Sequence, residues 1–172
     1  MPMVALALLM GLSTPVFAQF EAPPLPEGVV VDTIVEAAPT LLRINELMAV
    51  GDTPLVEGSE VWPDWVEIAN VSGDSLEVGG WYLSDAPGDL TRWQLPALTL
   101  PPEGLLLIAV SPLPIEGFDE ALRAPFSLKS GGEFLVLVEP DGETIHQGFE
   151  SDYPEQRFAV SYGIDPETGD YR

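Results

Sequence analysis

Acidic side chains are the most abundant groups in this chain that could do chemistry, and two sets of them lie in turns. Asp85 and Asp89 flank a Pro-Gly turn, and Asp165, Glu167 and Asp170 share a second turn. Calcium takes six to eight oxygen ligands, which acidic turns can supply. Neither set matches the Asp-x-Asp-x-Asp-Gly loop of known calcium sites, and Asp also stabilises turns by bonding to its own backbone. A structural role is therefore the simpler interpretation, and calcium is the one cofactor left open.

Residues for covalent or acid–base catalysis are scarce. The chain has one histidine, His146, no cysteine and no Gly-x-Ser-x-Gly motif that would expose a nucleophilic serine. Paired carboxylates could hydrolyse a glycoside, but with 28 Asp and Glu no single pair is diagnostic. We expect no catalytic residue and predict that the protein is not an enzyme.

Tryptophans are the remaining candidates for a binding site. Trp62 and Trp65 flank Pro63 and Asp64, and an exposed tryptophan beside acidic residues could recognise a protein or a glycan. A lid over one end of the fold is the alternative. Trp81 is expected to fill the core and Trp62 to be exposed.

The charge balance argues against nucleic acid as a partner. The formal net charge is −22, and the six basic residues are scattered singly: Arg43, Arg92, Arg123, Lys129, Arg157 and Arg172. Affinity for phosphates requires clustered Lys and Arg side chains. We therefore expect no binding to DNA or RNA.

The first 39 residues differ in composition from the rest. Residues 1–18 read as a signal peptide, with an apolar run from Met3 to Leu12 followed by Val16-Phe17-Ala18. That run is too short to span a bilayer, so no membrane span is expected; a hydrophobic N-terminal helix is the alternative. Residues 19–39 form a Pro-rich acidic linker, in which Val29–Val35 is either a strand or a tether. Residues 40–172 form the folded domain, and the protein is expected to be secreted or in the cell envelope.

From Thr40 onward, short apolar segments alternate with turn residues, which predicts an all-β sandwich or barrel. Asp119–Arg123 could form one helical turn, and Pro140-Asp141-Gly142 predicts a hairpin. The apolar run Leu105–Val110 predicts a strand buried on both faces. The predicted strands are Leu42–Met48, Trp65–Asn70, Gly80–Ser84, Thr91–Leu95, Leu105–Val110, Glu133–Glu139, Glu143–Phe149 and Arg157–Tyr162.

An ordered set of motifs resembles the bacterial lamin tail domain. The motifs span about residues 40–165 and are Leu-Arg-Ile-Asn-Glu-Leu-Met (42–48), Asp-Trp-Val-Glu-Ile-Ala-Asn (64–70), Gly-Trp-Tyr-Leu-Ser-Asp (80–85), Leu-Thr-Arg-Trp-Gln-Leu-Pro (90–96), Phe-Ser-Leu (126–128), Gly-Gly-Glu-Phe-Leu-Val-Leu (131–137) and Val-Ser-Tyr-Gly (160–163). The resemblance implies an immunoglobulin-like β-sandwich of about seven to nine strands without a disulfide.

Bacterial members of that family resemble accessory modules on exported nucleases, kinases and surface proteins. The resemblance therefore implies an exported, non-catalytic binding or structural module that acts through contacts with a protein partner or a cell-surface component. The alternative is a calcium-dependent accessory domain of a secreted hydrolase whose catalytic part is absent from this chain. The ligand and the oligomeric state stay open.

Overall fold

A computed structural model describes residues 39–51 and 54–172, which belong to a compact unit, Ala37–Arg172. The predicted signal peptide, residues 19–38 of the predicted linker and the Val29–Val35 run lie outside the described residues. Within the described part, no helix is long and apolar enough to cross a membrane.

The described part is almost entirely β-structure and contains no disulfide, as predicted. It has eleven strands rather than seven to nine, because five of them are only two residues long. Among residues 39–51 and 54–172 the single helical element is a 3-10 turn, Glu120–Leu122, where a helical turn was expected. The strands are β1 (Leu42–Met48), β2 (Asp64–Asn70), β3 (Leu76–Glu77), β4 (Tyr82–Ser84), β5 (Trp93–Gln94), β6 (Thr99–Leu100), β7 (Leu105–Val110), β8 (Arg123–Ala124), β9 (Leu135–Val138), β10 (Ile145–Phe149) and β11 (Tyr162–Gly163).

Two main sheets form a sandwich. The larger sheet has the order β11-β1-β2-β7-β8 and the smaller one β10-β9-β4-β5, with a two-stranded β3-β6 sheet besides. All pairs are antiparallel except β7 with β8. In β1 a bulge between Ile44 and Glu46 shifts the register, so that Ile44 and Leu47 are both buried.

One hydrophobic core unites side chains from both sheets. Trp81 and Leu83 are buried beside Leu95, and Trp93 packs against them, as their two-residue spacing predicts. Trp81 is 5% exposed, and the ring of His146 meets it edge-on with centroids 4.8 Å apart. The prediction that Trp81 is a core residue is confirmed.

The strand that is buried on both faces is β9, not β7. In β7, Leu105 and Leu107 face outward and are 56% and 37% exposed, so the prediction for Leu105–Val110 was wrong. All four residues of β9 are buried, because Tyr82, Leu90 and Ile145 cover its second face. An apolar run shows that a strand forms, but the cover over its outer face comes from distant segments.

Residues 157–162 form a tight turn rather than the predicted strand. Arg157 and Val160 form an isolated bridge, and Ala159 between them has φ +58°. Only Tyr162 of the predicted segment belongs to a strand, β11. A positive φ at a residue with a side chain is uncommon, and this one reverses the chain.

Candidate binding site at one end of the sandwich

Three loops emerge at the same end of the sandwich. Asp64, the first residue of β2, pairs with Val110, the last residue of β7. The end of the loop before β2 therefore lies beside the start of the loop after β7. The segment after β10 reaches the same place, because the Ala159 N–H donates to the Val50 carbonyl over 2.9 Å. We call this region the loop end and define it by residues 49–51, 54–63, 111–122 and 150–161.

The loop end carries most of the large apolar side chains that are exposed to solvent. Seven such residues occur in the described part, and four of them are Trp62 (58% exposed), Leu113 (61%), Phe158 (66%) and Val160 (54%). Exposed apolar groups concentrated in one place are typical of an interaction site. The other three, Val71, Leu105 and Leu107, lie on or beside the outer face of the larger sheet.

Local hydrogen bonds and one buried side chain hold the loop 111–122 in place. The Ser111 hydroxyl accepts the Leu113 N–H and donates to the Leu113 carbonyl, and Ile115 is buried. Arg123 donates to the Ser111 carbonyl over 2.6 Å and pairs with Glu120. Leu113 is therefore displayed on a loop whose backbone is fixed.

The loops 54–63 and 111–122 contact each other. A Cβ at Gly117 would lie 3.2 Å from the Val56 side chain of the other loop, so the two loops approach closely at this point. A cleft of about 380 Å³ lies at this junction, lined by Val56, Glu57, Gly58, Ser59, Glu116 and Gly117.

Phe158 is displayed at the tip of the third loop. The Val160 N–H donates to the Arg157 carbonyl over 3.2 Å, which closes a tight turn with Phe158 and Ala159 at its centre. The bond from Ala159 to Val50 fixes this turn against the end of β1. Gly51, the residue after Val50, lies against the carbonyl of Pro63, which follows Trp62. The Phe158 turn is thus anchored to the chain that leaves β1 and packs against the end of the Trp62 loop.

The loops that carry the exposed apolar residues are also rich in carboxylates. Residues 54–63 and 111–122 contain no Lys or Arg, and the third loop has Arg157 beside Glu150, Asp152 and Glu155. The exposed carboxylates of the first two loops are Glu57, Glu60, Glu116, Asp119 and Glu120.

A half-buried carboxylate, Asp64, and a buried one, Glu133, lie next to these loops. The Asp64 side chain accepts the Leu128 N–H over 2.8 Å. Burial raises the pKa of Asp64 to about 6; the bond from Leu128 opposes this rise, and the nearby Glu133 carboxylate adds to it. Glu133 accepts the Lys129 N–H over 2.7 Å and forms an ion pair with the Lys129 ammonium at 2.8 Å. Asp64 and Glu133 therefore hold the segment that precedes β9.

Tyr153 bonds to the same segment before β9. Its hydroxyl donates to the Lys129 carbonyl over 2.8 Å, and burial raises the pKa of this phenol. A side chain at Gly132, where φ is +91°, would lie 2.0 Å from the Tyr153 carbonyl, so the close approach requires glycine.

The first pair of predicted calcium ligands is tied to the local turn. Asp85 lies 2.6 Å from the Arg92 guanidinium, which in turn lies over the Phe126 ring at 5.4 Å. Burial raises the pKa of Asp85, while Arg92 opposes that rise. Asp89 is exposed, and its carbonyl accepts the Ser84 hydroxyl over 2.7 Å, which closes the turn.

The second set is also engaged within its own turn. Asp165 is 3% exposed; it accepts the Glu167 N–H over 2.8 Å and pairs with Arg172 at 2.5 Å. The Glu167 and Asp170 side chains are exposed. Among residues 39–51 and 54–172, no group of three or more Asp, Glu or His side chains is arranged to hold a metal ion.

His146 bonds to backbone and carboxylate. Its Nε2 accepts the Leu41 N–H over 2.9 Å, and its Nδ1 lies 3.0 Å from a Glu139 oxygen. Because Nε2 accepts this N–H, Nδ1 is the ring nitrogen that donates to Glu139. Together with Gln147, which accepts the Ile44 N–H over 2.7 Å, it links β10 to the backbone at the start of β1 across the edge of the sandwich.

The two candidate tryptophans lie on different surfaces. Trp62 is exposed at the loop end, as expected. Trp65 is half-buried within β2, on the side opposite the core residue Val66. Sequence reasoning missed Leu113 and Phe158. The Pro154-Glu155-Gln156 stretch before Phe158 is a poor strand sequence and could have indicated a loop there.

Comparison of the chain with protein-family models, with curated proteins and with solved structures found no match.

Proposed function

We propose that this chain is an exported, non-catalytic binding module that resembles the bacterial lamin tail domain and contacts a protein or cell-surface partner through its loop end. The observation that carries the proposal is the concentration of exposed Trp62, Leu113, Phe158 and Val160 in loops at one end of the sandwich. Loops on a rigid β-scaffold commonly carry binding residues, because the scaffold fixes their positions.

The resemblance to the lamin tail domain is supported by the order of the motifs and by the sandwich-like fold. Several motif residues also have clear structural roles. Asn70 bonds to three backbone carbonyls, Ser84 closes the following turn, and Trp81 fills the core. These motif residues stabilise the scaffold, and their roles do not depend on what the loops bind.

Export is supported by the sequence of residues 1–18. Cells that make the full chain are expected to release or display a protein that begins at Gln19, which mass spectrometry of the mature N-terminus measures. A mature protein that keeps residues 1–18 would contradict export by cleavage.

Site-specific photo-crosslinking tests the binding surface. A photoreactive phenylalanine analogue replaces Trp62 or Phe158 in the loop end, and Val71 or Leu105 as matched exposed controls. In cells that make the full chain, both loop-end positions are expected to capture the same product, and the controls are not. Equal capture from all four positions, or none from the loop end, would contradict the proposal.

A further inference from the structure

The chemistry of the loop end also indicates what kind of partner it fits. We propose that the partner presents a basic polypeptide segment, in which Lys or Arg side chains alternate with apolar ones, and that this segment lies across the loops 54–63 and 111–122. The inference rests on the proposed function, because it assigns the partner chemistry of the same surface.

The apolar side chains of the segment would pack against Trp62 and Leu113. Trp62 and Leu113 are each more than half exposed, and their loops meet where Val56 contacts Gly117. Trp62 also offers a flat aromatic face, on which a Lys or Arg cation can lie with favourable electrostatics. Burial of a large aromatic side chain is the usual centre of a protein interface.

The requirement for Lys or Arg in the segment is inferred from the carboxylates of the same two loops. Five exposed carboxylates lie in residues 54–63 and 111–122, and these ranges hold no Lys or Arg. The cleft at the junction has Glu57 on one wall and Glu116 on the other. Two of the five are engaged within their own loop, since Glu120 pairs with Arg123 and Asp119 accepts the Ala121 N–H. A cationic segment in this position would bond to the other three, Glu57, Glu60 and Glu116.

The same charges disfavour the other occupants of an exposed apolar patch. A second copy of the chain would bring a further charge of −22. Nucleic acids and anionic membrane surfaces are negatively charged as well, so long-range repulsion opposes all three. A basic polypeptide is the class for which both the apolar contacts and the electrostatic attraction are favourable.

Peptide titration tests the inference. The probe is a fluorescent peptide of alternating lysine and leucine, and fluorescence anisotropy with the full chain measures its dissociation constant. Two further probes replace every lysine by glutamine or by glutamate. We expect the lysine peptide to bind, the glutamine peptide to bind at least about tenfold more weakly, and the glutamate peptide not to bind.

Matched variants separate the local site from the general charge. Trp62→Ser, and the triple variant Glu57→Gln, Glu60→Gln, Glu116→Gln, are each expected to weaken binding of the lysine peptide at least about tenfold. The control triple variant, Asp74→Asn, Glu103→Gln, Glu143→Gln, removes the same charge from exposed sites elsewhere and is expected to change binding less than about twofold. Thermal melting of each variant confirms that it is folded.

Three results would overturn the inference: no binding of the lysine peptide, equal binding of the glutamine peptide, or equal weakening by both triple variants. Self-association of the free chain through Trp62, detected by sedimentation, would identify a second copy as the occupant and would also overturn it. The proposed function is tested independently of this inference. Crosslinks from Trp62 and Phe158 to a partner without a basic segment would contradict the inference but would still support the proposed function.

Discussion

Strand β2 has a polar side chain at each terminus, Asp64 at the first residue and Asn70 at the last. The two side chains differ in how completely their polar atoms are hydrogen-bonded. At its last residue, the neutral amide of Asn70 donates to the Asp74, Leu100 and Pro101 carbonyls and accepts two bonds from Ser72. At its first residue, the Asp64 carboxylate has one backbone donor, and its pKa is raised. The amide end is fully bonded and closes the fold, whereas the carboxylate end lies beneath three loops that display apolar side chains.

The difference shows where stability and binding separate in this molecule. Full hydrogen bonding by a neutral side chain fixes the turns around Asn70. A partly buried charge such as Asp64 opposes folding, and exposed apolar groups such as Trp62 contribute little to the fold. Features that do not stabilise a fold are the ones to examine for function.

The largest expected contrast is between two tryptophans. Trp81→Ala is expected to lower the free energy of unfolding by about 3–5 kcal/mol, because it empties a core site next to His146. Trp62→Ala is expected to lower it by less than about 0.5 kcal/mol. Urea denaturation at pH 7 measures both. Equal midpoint shifts would mean that the loop end also belongs to the stabilising core.

Asn70→Ala should have the next largest effect. It removes the donor of three carbonyls, of which the Leu100 carbonyl is buried, and frees the turn at Ser72. We therefore expect a loss of about 2–4 kcal/mol in the same measurement. Ser72→Ala, which removes one hydroxyl from the same network, should cost about 1 kcal/mol. A loss at Asn70 no larger than that at Ser72 would show that the fully bonded end is not a stabilising network.

Removing the charge of Asp64 should raise the free energy of unfolding, and only at higher pH. Its folded-state pKa of about 6 exceeds the ordinary value of 3.8, so the folded form binds the proton more tightly. The resulting stability is present below pH 3.8, is lost as the pH rises to 6 and is absent above that. Asp64→Asn can still accept the Leu128 N–H, and since the group is partly exposed we expect about 1 kcal/mol of added stability at pH 7.5 and almost none at pH 4.

Denaturation curves at several pH values measure this effect, and Asp152→Asn provides an exposed control at the same end. If the difference between the wild type and Asp64→Asn does not change with pH, the carboxylate is not strained by burial.

Calcium should have the smallest effect. The Asp85 and Asp165 side chains are paired with Arg92 and Arg172, so binding of the ion would have to displace these arginines. We expect calcium and a chelator to give melting temperatures within about 2 °C of each other. A site that is filled at a hundredfold excess over its dissociation constant would instead add about 2.7 kcal/mol. A large rise that is abolished in Asp85→Asn or Asp165→Asn would support the alternative of a calcium-dependent module.

The sequence predicts the regular part of the fold well. The bounds of β1 and β7 match the predicted ones, β2 begins one residue earlier, and the Pro140-Asp141-Gly142 hairpin forms where its turn residues indicate. Period and turn chemistry are local properties, so one chain segment suffices to predict them. Three of the two-residue strands, β3, β6 and β8, were missed because only their partners define them: β3 exists through its pairing with β6.

The candidate site could be predicted only in part, for the same reason. Trp62 precedes a strand and could be identified as exposed. Phe158 looked like a strand residue, and its exposure follows from the Ala159 turn and its bond to Val50. The meeting of Asp64 with Glu133 depends on the arrangement of segments that are far apart in sequence.

Hydrogen–deuterium exchange with and without the lysine–leucine peptide tests the contrast between the two ends most directly. We predict slower exchange in residues 54–63 and 111–122 of the loop end when the peptide is bound, and unchanged exchange in residues 71–75 next to Asn70. Protection around Val71 and Leu105, with none in the loop end, would contradict the account and would place binding on the outer face of the larger sheet.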